Sequence, residues 1–232
     1  MLGFGSLMEI KRSIDCNQCH PRQHSIFCQL SDDKLHYLKD FKITKTYKKR
    51  EIVFHEGDKP HGLFCVFSGL VKISKVSSDG KEQIVRLAQS GDVLGYRAFF
   101  SSEFYSATAQ AITESNICFI EREGMEKIIQ HSPELIYSFL RKVCFELRQA
   151  EEKFQDLMEK SVEERLANFL KLLLGKTKTK TFDLPLSREE IASLIGARQE
   201  TVIRVFSSWK DQGYLKVHAK SLTLLDSSFL VH

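Results

Sequence analysis

Between residues 136 and 157 a single apolar stripe runs without a break. Ile136, Leu140, Val143, Leu147, Ala150, Phe154 and Leu157 follow one another at alternating steps of four and three. That spacing puts them on one narrow line along an α-helix. The other faces carry Arg141, Lys142, Glu146, Arg148, Glu151, Glu152 and Lys153. A seam this regular is a coiled-coil pattern and predicts a long helix that pairs with a second copy of the chain. The plainer alternative is a helix packed on its own domain.

Upstream the pattern changes to short segments. EIVF, LFCVF, LVKISKV, EQIVRLA, SATAQAI and NICFI, all within residues 44–121, are short and rich in branched or aromatic residues, as strands are. Asp79-Gly80 falls between two of them and predicts a hairpin, because Asp-Gly supplies the positive φ angles of a tight turn. Several such strands at even spacing imply a sandwich or roll. Residues 31–42 read as a short helix, with Ser31 as its cap and Leu35 and Leu38 on one face. Downstream of the seam come a helix (VEERLANFLKLLLG), a lysine-bearing loop from Lys176 to Lys180, a short strand FDLPL, two close helices and two short strands ending at Leu225.

Bulk properties exclude some classes. No apolar run reaches the roughly 18 residues of a membrane span, and the N-terminus lacks a signal-peptide core and cleavage site. A cytoplasmic protein with no membrane partner is expected. The net charge of +4 permits nucleic-acid binding without establishing it. An enzyme is not expected. There is no Gly-x-Ser-x-Gly, no phosphate-binding glycine loop and no His-Glu-x-x-His, and no βαβ pattern surrounds the Cys16-x-x-Cys19 motif to support a thiol oxidoreductase.

Ser187-Arg-Glu-Glu190 is a capping-box sequence, and the helix it opens stops at Gly196, a residue suited to the left-handed turn conformation. A second helix follows from about Gln199 to Lys210, with Val202, Val205, Phe206 and Trp209 as its inner side. Ala192, Gly196 and Val202 occupy the three diagnostic places of a helix-turn-helix. The outer side of the second helix then presents Arg198, Gln199, Glu200, Ile203 and Arg204. Arginine can take guanine bidentately and glutamate can accept from cytosine N4. A solvated intrahelical Glu200–Arg204 pair is the bland alternative. YLKV and SLTLL flank His218-Ala219-Lys220 like a wing, so Lys216, Lys220 and Ser221 are candidate phosphate contacts.

In this order of parts the chain resembles the Crp/Fnr family of bacterial regulators. The resemblance is carried by Phe54-His-Glu-Gly57-Asp58, Phe67-Ser-Gly69-Leu-Val-Lys72, Gly91-Asp-Val-Leu-Gly95, Val162-Glu-Glu-Arg-Leu166, Leu186-Ser-Arg-Glu-Glu-Ile-Ala-Ser-Leu-Ile-Gly196 and Glu200-Thr-Val-Ile-Arg204. It implies an α+β fold with four parts. These are a cysteine-bearing N-terminal segment (1–30), a β-roll sensor domain like a cyclic-nucleotide-binding jelly roll (31–125), a dimerisation helix (126–160) and a winged helix-turn-helix (161–232). It further implies a homodimer on palindromic double-stranded DNA, with RNA polymerase as a partner. Glu200 and Arg204 would read the half-site core, with Ser187 and Thr201 beside them.

Family members that bind cyclic AMP use a Gly-Glu pair and an Arg-Ser pair. The matching places here are Gly95-Tyr96 and Tyr105-Ser106. Both the carboxylate and the phosphate-binding arginine are missing, and nearby Arg97 does not rebuild a bidentate clamp, so cyclic AMP is not expected. Cys16, Cys19, Cys28 and Cys118 instead resemble the ligand set of the oxygen-sensing Fnr branch, which implies a four-iron, four-sulfur cluster. Read as residues alone, they leave other accounts open. The three N-terminal thiols with His20 or His24 also suit zinc, and Cys118 also reads as a small buried hydrophobe, as do Cys65 and Cys144.

Overall fold

Alternation of apolar residues builds two four-stranded sheets in the first half of the chain. The computed structural model describes residues 19–36, 38–174, 180–218 and 221–226. A short helix α1 (Asp32–His36) and a 3-10 turn (Lys39–Phe41) lead into β1 (Lys42–Tyr47), β2 (Ile52–Phe54), β3 (Gly62–Ser68), β4 (Leu70–Val76), β5 (Glu82–Gln89) and β6 (Val93–Leu94). After α2 (Tyr96–Ser101) come β7 (Thr108–Ala111) and β8 (Ser115–Glu121). One sheet has the order β1-β8-β3-β6 and the other β2-β7-β4-β5. Two antiparallel sheets with crossed connections form a jelly roll.

The layers follow from the strand alternation. On β3, Phe64 and Val66 join the core that also holds Phe54, Val71, Tyr105 and Ile117. Leu63, on the opposite face of β3, joins a second core with Phe27, Leu30, Leu35 and Leu38 of the N-terminal segment. The same second core takes in Met125 and Ile128 of α3 (Arg122–His131), and Leu135 and Phe139 of α4 (Glu134–Glu159). The N-terminal segment and the start of the long helix are thus packed into one apolar cluster.

One local expectation is corrected, a second, the Asp79-Gly80 hairpin, forms between β4 and β5 with a longer loop, and a third is extended. The helix expected over residues 31–42 ends at His36, and buried Leu38 stands at the head of a separate 3-10 turn. The loop at Asp79-Gly80 is longer than a two-residue turn. Gly80 N–H donates to Ser77 O at 2.9 Å, Ser77 N–H donates to Lys81 O at 3.0 Å, and of the central pair Gly80 alone has positive φ, at 80°. A β-turn ending in a left-handed glycine supplies the same strand reversal with one left-handed position instead of two. Two strands, β1 and β6, and helix α2 extend the set expected from sequence.

A second compact unit takes in Val76–Ile84 and Phe145–His232. Beyond the end of α4 it holds helix α5 (Val162–Leu174), strand β9 (Thr181–Asp183), helices α6 (Arg188–Ile195) and α7 (Gln199–Asp211), and strands β10 (Leu215–His218) and β11 (Ser221–Leu224). Its sheet has the order β10-β11-β9. Leu166 and Leu170 of α5, Ile191 of α6, Val202 and Trp209 of α7, and Leu215 and Leu222 of the sheet are essentially fully buried. Trp209 Nε1 donates to Glu163 Oε1 at 2.7 Å, which ties the last helix to the first.

Candidate functional site

Helix α6 begins where the sequence places it. Ser187 Oγ accepts from Glu190 N–H at 3.1 Å, and Glu190 Oε2 accepts from Ser187 N–H at 2.8 Å. Each of two backbone donors that would otherwise lack a partner is satisfied by the other residue's side chain. A second box of the same form opens α5. Ser161 N–H donates to Glu164 Oε2 at 2.7 Å, and Glu164 N–H donates to Ser161 Oγ at 3.2 Å. The Ser161-Val-Glu-Glu164 motif was open to the same reading in sequence.

The turn between α6 and α7 depends on Gly196. Its φ is 67°, and a Cβ built there would lie 2.5 Å from Leu157 Cδ2. Its carbonyl accepts from an Arg165 guanidinium nitrogen at 3.2 Å. Gly196→Ala is expected to lower unfolding stability by about 1–3 kcal/mol, from left-handed strain and the displaced Leu157. Thermal unfolding measures this, and an unchanged midpoint would show that the turn tolerates a side chain.

Val202, Phe206 and Trp209 bury the inner side of α7. Arg198, Gln199, Glu200, Ile203 and Arg204 are exposed, and Thr201 is half-buried. Among the described residues no hydrogen bond or ion pair joins Glu200 to Arg204, so the bland pairing is not formed. In the wing, Lys216 is exposed and Ser221 half-buried. Lys220 and the lysines of the 175–179 loop lie outside the described residues, as does Cys16.

Along α4, all seven seam residues are exposed in the single chain. Leu140, Leu147 and Phe154 are 55%, 59% and 66% accessible. The buried residues of the helix are Leu135 and Phe139, near its start. Over most of its 26 residues, about 39 Å, the apolar line therefore has no cover from the described residues.

The cysteines are divided. Cys19 and Cys118 line one small cavity of about 50 Å³ in the roll, with Phe27, Leu35, Leu38 and Ile120. Cys65, read from sequence as a packing residue, lines it too. Cys28 is exposed and outside the lining, and Cys144, expected to be a buried packing residue, is exposed on α4. Lys42 and Arg22 border the same space. Arg22 is anchored to Asp32 at 2.7 Å and to the carbonyl of Leu30. Thr44 Oγ1 lies 3.4 Å from Cys118 Sγ. Among the described residues no three His, Cys, Asp or Glu side chains are grouped as a metal centre. His20 and His24 are exposed.

Tyr105 is the residue that the resemblance sets where cyclic AMP binders carry an arginine. Its ring is buried and stacked on Phe54, with centroids 4.0 Å apart. Burial, with Asp58 nearby, pushes its hydroxyl pKa up to about 12, so it stays neutral. An uncharged phenol cannot offset a phosphate as an arginine does.

Residues 44–132 match the cyclic nucleotide-binding domain model and residues 164–231 the Crp-like helix-turn-helix domain model. The chain is 29% identical to the transcriptional activator protein FnrA of Stutzerimonas stutzeri over 223 residues, covering 94% of this chain and 91% of that protein. It is 30% identical to the transcriptional activator protein anr of Pseudomonas aeruginosa over 185 residues, covering 78% and 75%. Among solved structures it is similar to FixK2 from Bradyrhizobium japonicum, with a TM-score of 0.73, 28% identity, and coverage of 82% of this chain and 95% of that one. With a nucleotide-binding-type roll, a long helix and a winged helix-turn-helix in this order, the chain belongs to the Crp/Fnr family of transcriptional regulators.

Proposed function

We propose that the protein is a cytoplasmic homodimer that binds a palindromic DNA site in a sequence-specific way and responds to oxygen, nitric oxide or redox state through its cysteines. The observation that carries this reading is the conjunction of an exposed reading face on α7 with an uncovered seam on α4. Two copies joined along the seam present two reading helices, the symmetry a palindrome requires. Arg198, Gln199, Glu200, Thr201, Ile203 and Arg204 face base edges. Ser187, Lys216 and Lys220 meet phosphate, where contacts orient without specifying sequence. RNA polymerase is the further partner of a regulator of this kind.

Cys16, Cys19, Cys28 and Cys118 would hold a four-iron, four-sulfur cluster. The donors suit it in part: Cys19 and Cys118 share a cavity walled by apolar side chains and bordered by two cations. Cys28 stands on the same segment outside the lining, so a set of four thiolates requires that segment to repack. When bound, such a cluster supplies a centre that oxygen and nitric oxide attack. The chain's own part is transmission. Phe27 and Leu30 lie in the same buried cluster as Leu135 and Phe139 of α4. A change in how residues 19–30 pack therefore acts directly on the first turns of the dimer helix.

The test is anaerobic purification with an absorption spectrum and iron and sulfide assays. A band near ~400–420 nm, typical of thiolate-ligated clusters, should appear, bleach in air and be lost in Cys118→Ala. A colourless, iron-free protein after anaerobic reconstitution would overturn the cluster reading. A second reading would then stand, in which a small ligand controls the same dimer from the roll. A cavity of about 360 Å³ bordered by Phe54, Tyr105, Asp58, Lys59 and His61 favours it.

A further inference from the structure

Strands β3 and β8 run antiparallel, and Cys65 stands directly opposite Cys118. The neighbour of Cys65 shows which way its peptide groups point. Val66 N–H donates to Asp92 O at 2.9 Å, and Val66 O accepts from Gly91 N–H at 2.9 Å, both on the β6 side. Successive residues of a strand point their peptide groups to alternate sides, so those of Cys65 face β8. Cys65 and Cys118 are then a hydrogen-bonded pair, with Cα atoms about 5.5 Å apart. That lies at the commonest Cα separation of disulfides, and the Cβ atoms, at the wide end of the ~4.5–5.5 Å cross-strand range, draw in to about 4 Å as the bond forms. Directly opposed residues also leave the sheet on the same face, and both side chains line the same cavity. Neither is engaged in a disulfide here.

We propose that Cys65 and Cys118 form a reversible dithiol–disulfide pair, a redox site built into the roll. In reducing compartments such bonds are typically transient and serve redox sensing. The oxidant is a low-molecular-weight disulfide. Cys65 is half-buried and Cys118 buried, so Cys65 meets it first. The Cys65 thiolate attacks one sulfur of the small disulfide. The S–S bond breaks, and the departing half takes up the proton that Cys65 lost. The Cys118 thiolate then attacks the Cys65 sulfur of the mixed disulfide and expels the second half, which takes up the Cys118 proton. Two protein thiols lose two hydrogens, and one small disulfide becomes two thiols. The Thr44 hydroxyl, 3.4 Å from Cys118 Sγ, gives the attacking sulfur a polar neighbour.

The pairing stands on strand register alone. Its consequence rests on the cysteine reading proposed above: oxidation removes the one roll thiol from the ligand set, so a cluster-free chain stays cluster-free until it is reduced.

The experiment uses the full-length chain, purified anaerobically and stripped of iron by a chelator. It is treated with oxidised glutathione, alkylated with iodoacetamide in denaturant, digested without reductant and read by mass spectrometry. Expected is a peptide pair joined through Cys65 and Cys118, two hydrogens lighter than the two thiol peptides and separated by dithiothreitol. In Cys65→Ser the joined peptide should vanish. Glutathione adducts on the exposed Cys28 and Cys144 show that the dose was sufficient. If, at that dose, Cys65 and Cys118 both emerge alkylated, or joined to other cysteines, the proposal is overturned. Iron and sulfide reconstitution of the oxidised chain is then compared before and after dithiothreitol. A chain that forms the bond but never binds iron keeps the pair and sinks the cluster reading. A chain that binds iron but never forms the bond does the reverse.

Discussion

Leu147→Glu is expected to leave the chain folded, turn the dimer into a monomer and weaken binding to a palindromic site by roughly 100- to 10,000-fold, the usual gain from linking two binding modules. Leu147 is the fourth of the seven seam residues, and its side chain is 59% accessible in the single chain. A charge there costs the monomer little. Across a symmetric parallel seam the same position meets its own copy. Two carboxylates would then face each other out of water, where unpaired charge is costly. Sedimentation gives the oligomeric state, and titration of a palindrome against a single half-site gives the linkage. Half-site binding should be nearly unchanged. A variant that stays dimeric would sink the seam assignment.

Arg204→Ala and Glu200→Ala act on the other half of the mechanism. Both residues are exposed on α7 and unpaired with each other, so removing either leaves the folded unit intact. Each bidentate base contact is worth about 1–3 kcal/mol of discrimination, and the symmetric site contains two copies, which gives about 2–6 kcal/mol in all. The mark of base reading is relaxed preference at particular positions of the half-site. Lys216→Ala should instead weaken all sequences about equally and make binding less salt-dependent. Equal weakening of all sequences by Arg204→Ala would reassign Arg204 to phosphate.

The parts most legible in the sequence are those whose signal is local. The Ser187–Glu190 box needs four consecutive residues, and it forms as written. Helix periodicity separated the buried Val202, Phe206 and Trp209 from the exposed Arg204. Strand β1 is the counter-case. Its apolar Ile43 is 45% exposed, while Lys42 and Thr44 are buried, so its pattern is inverted and it does not read as a strand. Thr44 faces Cys118 across the sheet, and that pairing partner lies 74 residues away. No window of sequence contains it.

The cysteines divide along the same line. Resemblance to the ligand set of the Fnr branch singled out Cys16, Cys19, Cys28 and Cys118 as candidate ligands. Cys65 looked like a small apolar residue inside an apolar strand. Only the antiparallel register of β3 against β8 sets it opposite Cys118, and only packing of the N-terminal segment over that face encloses both with Cys19. The sequence by itself determined the helix-turn-helix, the exposed face of its second helix and the apolar line along α4, because each depends on contacts within a few helical turns. The tertiary structure decided which thiols share a cavity and how that segment joins the start of α4, because cross-strand pairing and core packing connect residues whose separation along the chain carries no periodic signal.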